Sequence, residues 1–290
     1  VKPLAGFFWM VVTGFLFVGV TATVKHLGGR VPAAEAAFLR YLLGLVFLLP
    51  LLGAIRRARL DKRRLGLFAL RGAIHAVGVI LWFFAMTRIP IAEVTALNYL
   101  SPVYITILAA VFLNEKFSWA RGGAIAAALI GVVLILRPGF REVGPGHLAM
   151  MGTALLFACS YMIAKVMSDE VAPAVVVAML SVWTTLGLAP AAIAVWVWPT
   201  WDELGWLFLV ATLATTGHLT MTLAFKSAPI SVTQPVTFLQ LVWATILGWA
   251  VFGEGVDAFV LAGGTIIVGS VVIISIREAR RRPKTPPVAP

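Results

Sequence analysis

The sequence repeats itself at a distance of about half its length. Residues 78–115 lie over residues 217–254 at an offset of 139 without a gap. Ala85 falls on Ala224, Pro90 on Pro229, Ile91 on Ile230, Leu100 on Leu239 and Glu115 on Glu254, with Thr106-Ile107-Leu108 on Thr245-Ile246-Leu247. Nearer the start the offset is 140, pairing Gly6 with Gly146, Thr13 with Thr153, Leu16-Phe17 with Leu156-Phe157 and Lys25 with Lys165. A duplicated apolar chain can build a pore or a binding site between two related halves, which narrows the architecture before any single residue is weighed.

The setting is a bilayer. Hydrophobic residues make up 61% of the chain and charged residues 12%, about half the charged share of a soluble domain. A spanning helix needs about 20 apolar residues. Ten such segments are expected, at 4–25, 34–55, 65–87, 91–113, 119–136, 146–166, 174–198, 204–226, 230–252 and 257–276. The short loops leave no room for a soluble catalytic domain. The first apolar run is longer than the core of a cleaved signal sequence, so it reads as a span. The single cysteine, Cys159, excludes an intramolecular disulfide and a thiolate cluster.

The net charge of +11 belongs to the loops. With both termini cytoplasmic, that face carries Lys2, the basic run from Arg56 to Arg64, Lys116, Arg121, Lys165, Lys226 and the tail cations from Arg277 onward. The other face has only Lys25, Arg30, Arg88, Arg137 and Arg141, as the positive-inside rule requires. The charge therefore orients a membrane protein and does not point to nucleic acid. Residues 277–290 are basic and Pro-rich and read as a disordered cytoplasmic tail.

The halves divide near Arg137-Pro138-Gly139, as residues 1–138 and 139–276. Five spans per half force the second copy to cross with opposite polarity. The fold expected is all-α, ten helices in two inverted five-helix repeats. Pro90 and Pro229 suit helix starts, and Ser118 and Asp257 suit N-caps. The fifth span of each half is rich in small residues (Gly123, Ala127 and Gly131; Gly263, Gly264 and Gly269), as expected of close packing or an oligomer contact.

Polar residues inside spans are costly and point inward. Thr95, Asn98 and Ser101 recur every third residue in the fourth span, over Gln234, Thr237 and Gln240 in the ninth. Tyr104 lies over Trp243. Pro102 and Pro235 sit inside these helices and free a backbone carbonyl, so they are candidates for a kink or gate. His75 and His218 lie in the third span of each half, one turn out of step, with Trp82 on the same face as His75. The imidazoles could orient a ligand, relay protons or simply be satisfied by neighbours. The substrate-binding candidates are thus His75, Trp82, Asn98, Tyr99, Ser101, His218, Gln234, Thr237, Gln240 and Trp243.

Among the charges, Arg71 either snorkels to the basic interface or binds a carboxylate. Arg40 lies deeper and implies a structural ion pair, with Glu35 in reach, or an anion site. Glu115 and Glu254 occupy equivalent helix ends and read as structural. Mid-span carboxylates, metal motifs, phosphate loops and a hydrolase triad are all missing. No metal, cofactor or enzymatic activity is expected.

The run Ala92-Glu93-Val94-Thr95-Ala96-Leu97 to Ser101-Pro102-Val103, then Leu113-Asn114-Glu115-Lys116 and Gly122-Gly123, resembles the EamA domain of the drug/metabolite transporter superfamily. Ala228-Pro229-Ile230 to Glu254-Gly255, followed by Gly263-Gly264, is its second copy, and Arg40-Tyr41 fits an arginine common in the first. No arginine stands at the corresponding place in the second half. The resemblance implies a ten-helix bacterial inner-membrane carrier with cytoplasmic termini that works by alternating access. Within the superfamily the chain looks most like YddG-type exporters of aromatic and other amphipathic amino acids, and its second half is similar to transporters that take up S-adenosylmethionine. Amide, hydroxyl and aromatic groups without a central fixed charge would suit a neutral zwitterion.

Overall fold

A computed structural model describes residues 3–58, 60–112, 119–140, 142–168, 170–227, 236 and 239–281, and among these every regular element is helical. Helix α1 (Pro3–Leu27) is followed by α2 (Ala33–Gly44), a 3-10 segment (Leu45–Leu51) and α3 (Leu52–Arg57), which share the second apolar segment. Then come α4 (Lys62–Met86), α5 (Ile91–Asn98), α6 (Leu100–Phe112) and α7 (Trp119–Leu136). The second half holds α8 (Pro145–Ser168), α9 (Pro173–Ala194), α10 (Trp201–Ser227), α11 (Leu239–Phe252) and α12 (Ala258–Arg281). Six of the described helical runs are long and apolar enough to cross a bilayer, and three are shorter apolar helices. The fourth apolar segment is divided between α5 and α6.

Local sequence explains these boundaries. Asp61 caps α4 by accepting the Arg64 N–H at 2.8 Å, and Asp257 caps α12 by accepting the Phe259 N–H at 2.8 Å. Pro173 opens α9. The chain turns at Tyr99 between α5 and α6, three residues before Pro102, whose missing N–H leaves the Asn98 carbonyl without its helical partner. Pro235 lies outside the described residues. Helix α12 continues to Arg281, so residues 277–281 are helical rather than part of a tail.

Exchanging the two halves preserves most of the packing. Helix α1 packs on α10 as α8 packs on α4, and α10 meets α2 as α4 meets α9. The pairs α2–α9 and α7–α12 map onto themselves. Side chains follow the same rule. A Cβ on Gly78 would stand 3.0 Å from the Phe157 ring, and one on Gly217 would stand 3.4 Å from Phe17. These are two copies of one contact, since Gly78 matches Gly217 and Phe17 matches Phe157.

The small-residue stripe packs within the chain at Gly131, Gly263 and Gly264. A Cβ on Gly131 would stand 2.6 Å from the Gly263 carbonyl oxygen, so α7 and α12 cross in backbone contact. Gly264 abuts Leu241, whereas Gly123 and Gly269 face open space. The outer surface is apolar, with Phe15, Ile130, Leu186 and Trp249 exposed. Trp119, Trp198 and Trp201 stand exposed at helix ends, where indoles favour the membrane interface.

Candidate functional site

Helices α2, α9 and α10 enclose a cavity of about 170 Å³. Arg40, Tyr41, Ser181, Thr215 and His218 supply its polar lining, and Phe47, from the 3-10 segment, part of its apolar wall. A 3-10 stretch inside a longer helix often marks a place where the helix can flex.

Two histidines flank this region on repeat-related platforms. His75 is buried on α4, its Nε2 3.0 Å from the Tyr41 hydroxyl, and its ring stacks on Phe157 at 4.6 Å between centroids. His218 on α10 meets Phe17 edge-on at 5.2 Å. Each imidazole thus rests on the equivalent phenylalanine of the opposite half. The one-turn shift between the histidines exchanges a stacked contact for an edge-on one. Trp82 and Tyr161 extend the aromatic group through Phe157, at 6.0 and 6.1 Å.

Two arginines complete the cluster. Arg40, 7% exposed, lines the cavity and lies 4.0 Å over the Tyr41 ring. Arg71 is 4% exposed, and its Nη1 donates to the Val176 carbonyl at 3.0 Å while Nε has no partner. It is therefore packed against protein, its guanidinium directed to the first turn of α9. Glu35 is not the partner of Arg40: its Oε2 accepts the Val197 N–H at 2.8 Å. Among the described residues no carboxylate pairs with either arginine. An uncompensated charge at bilayer depth costs about 2.5–3.5 kcal/mol on insertion scales. The cavity wall thus carries the fixed positive charge of Arg40, where a site without a central fixed charge was expected.

The polar stripe forms a separate group along α5, α6 and α11. Ser101 is buried and Asn98 half-buried, and among the described residues the Ser101 hydroxyl and the Asn98 Oδ1 have no partner. The Tyr99 hydroxyl bonds the backbone of Leu241 across the α5–α11 contact. Gln240 packs beside Gly14 of α1, and Trp243 lies 4.9 Å from Phe15 with its indole N–H unpartnered. None of these lines the cavity between α2, α9 and α10. Gln234, Thr237, Pro235 and Glu115 lie outside the described residues, as does the side chain of Pro102. Tyr41, Phe157, Ser181 and Thr215 were not singled out by pattern. The one available signal was that Tyr41 follows Arg40 and Phe157 repeats Phe17.

Glu254 has a defined place away from the cavity. Gly253, at φ +64°, turns the chain back so that the carboxylate folds over Gly248, where a side chain would collide with it. There it accepts the Ile91 N–H at 2.9 Å and pairs with Lys25, tying α11 to α5 and α1. Among the described residues, further pairs also sit at helix ends: Arg30 with Glu203, Arg137 with Asp257, and Arg63 and Arg64 with Glu170, and there too His147 meets the Glu93 carboxylate at 2.7 Å.

An all-helical bundle with an apolar exterior, two interlocked halves and a polar cavity among its spans is a multi-pass membrane protein of the carrier type. The chain belongs to the EamA-like transporter family, which matches residues 4–137 and again 144–276. It is 27% identical to an S-adenosylmethionine uptake transporter of Rickettsia bellii, over 90% of this chain and 89% of that one. It is 30% identical to a riboflavin transporter of Rhizobium johnstonii (98% and 95% covered) and 24% identical to a pseudopaline exporter of Pseudomonas aeruginosa (93% and 96%). A crystal structure at 19% identity, with a TM-score of 0.57 over 97% of this chain and 99% of that one, shares the fold. These relatives are named for both uptake and export, and none is an amino-acid exporter of the YddG type.

Proposed function

We propose that the protein is a bacterial inner-membrane secondary transporter of small metabolites, alternating between inward- and outward-open states. Its ten spans form two inverted repeats, 1–138 and 139–276, with both termini cytoplasmic. The observation that carries this reading is the exchange of contacts between halves around a polar cavity. Ion pairing is consistent with it: every pair named above joins helix ends that this arrangement puts on one face. Repeat-related halves that pack alike in two orientations are the usual basis of alternating access.

For the substrate, the aromatic cluster around Phe157 favours a solute with a flat or apolar body. Export of aromatic and other amphipathic amino acids remains the first reading. Uptake of a nucleoside-like metabolite such as S-adenosylmethionine is the second, favoured by the likeness to the Rickettsia transporter. The test is counterflow in proteoliposomes with labelled tryptophan, threonine, S-adenosylmethionine and riboflavin, with and without a proton gradient. At least one solute should exchange saturably, and Asn98→Ala or Gln240→Ala should weaken that exchange without lowering membrane insertion. Absence of saturable exchange for all four would remove the transport reading, and unchanged exchange in both variants would remove the stripe from the site.

A further inference from the structure

The charges inside the bundle do not balance. At 1.5 Å per residue, Arg40 lies roughly 10 Å along its helix from Ala33, and Arg71 roughly 14 Å along its own from Lys62. Those two helix starts belong to opposite faces in the proposed topology. In a hydrocarbon core about 30 Å thick the backbone of Arg40 lies well inside the bundle from one face, while the Arg71 guanidinium is directed to the Val176 carbonyl in the first turn of α9, towards the other. Among the described carboxylates, Glu35 is engaged with the Val197 N–H, Glu93 with His147, Glu203 with Arg30, Glu254 with Lys25, Asp257 with Arg137 and Glu170 with Arg63 and Arg64, all near helix ends.

What surrounds the arginines is rich in donors. Thr215 stands with Arg40 on the cavity lining, beside a Tyr41 hydroxyl shared with His75 and a Ser181 hydroxyl that donates to the Val177 carbonyl, and among the described residues Arg71 Nε is buried and unpartnered. A guanidinium offers five donors and no acceptor, in a fork that matches a carboxylate. We propose that this cavity binds the carboxylate of a small organic acid or amino acid, with Arg40 as its direct partner and Arg71 as supporting charge. The inference rests on the transport reading for its purpose, and it adds the chemical class that the pocket selects. A carboxylate suits the cavity better than a phosphate group, since Phe47, Leu48, Val177, Leu180 and Leu219 leave an apolar wall for an organic body.

The test uses the purified full chain, with heat unfolding followed by tryptophan fluorescence and binding read as the rise in midpoint. The probes are tryptophan, tryptophanamide, indole-3-propionate and inorganic phosphate. The two carboxylates should raise the midpoint, and the amide and phosphate should not. Arg40→Gln should lower the apparent carboxylate affinity at least about tenfold, as loss of a charged hydrogen bond does, while Arg40→Lys should retain part of it. Ligand-free Arg40→Gln should also unfold no earlier than the wild type, because it removes an uncompensated buried charge. Arg71→Met provides a second variant with the same expectation. Protection by the amide equal to that by the acids, stronger protection by phosphate, no protection by any probe, or earlier unfolding of ligand-free Arg40→Gln and Arg71→Met would each overturn the proposal. Failure of counterflow leaves these binding readouts intact, so the two readings fall separately.

Discussion

His75 shows how much a residue's role depends on what reaches it from elsewhere in the chain. Its place in an apolar span was evident from sequence, but nothing local announced the Tyr41 hydroxyl on one side and the Phe157 ring on the other. Arg40 was legible as a costly charge. That Glu35 turns to the Val197 N–H, leaving Arg40 to the cavity, is a contact between residues far apart in sequence. Glu170 carries a prediction outside the membrane. Hydrogen bonds from Arg63 and then Arg64 hold its carboxyl below the usual carboxylate range. A depressed folded value means the clamp is complete above the ordinary carboxylate pKa and is lost as pH falls through the lower, folded one. Acid titration of unfolding should show this component in the wild type and not in Glu170→Gln. Identical acid profiles would mean the clamp contributes nothing.

Among the elements, α7 and α12 were readable as close-packing helices from their glycines, but not which glycines touch. Spacing gives every small residue the same standing. Only the crossing point separates Gly131, against the Gly263 carbonyl, from Gly123, against nothing. Gly131→Val should therefore destabilise the protein by about 1–3 kcal/mol, the usual cost of overpacking, while Gly123→Val should be nearly neutral. Equal midpoint losses in the two would argue against this crossing. The Lys25–Glu254–Ile91 junction belongs to the same scale, since it ties three helices at one end. Replacing Lys25 by Met and Glu254 by Gln, singly and together, should give a coupling energy of about 0.5–3 kcal/mol in a double-mutant cycle. Strictly additive losses would show the contact to be incidental.

For the whole molecule, the proposed inverted relation between halves makes a prediction about loops. Gly29 and Asp169 are repeat counterparts at offset 140, yet the loop of one pairs Arg30 with Glu203 and the loop of the other pairs Glu170 with Arg63 and Arg64. In a Cys159→Ser background, Gly29→Cys and Trp198→Cys should react with a membrane-impermeant maleimide from outside intact cells. Lys62→Cys and Ala172→Cys should react only after the membrane is opened. Labelling of Gly29→Cys and Ala172→Cys from the same side would replace the inverted repeat with a parallel one.

The sequence by itself determined the apolar helical class, the duplication and most of the described helix starts, because each follows from local composition, period and capping chemistry; Ser118 and Pro229 lie outside the described residues. It also marked which polar residues are expensive enough to need a purpose. The tertiary structure decided which of them meet. It set the histidines on equivalent phenylalanines, kept the Asn98–Ser101 stripe apart from the cavity of Arg40 and His218, and drew the partnered acids to the helix ends. Those outcomes depend on how α1 crosses α10 and α4 crosses α8, contacts between distant segments that no spacing along the chain encodes.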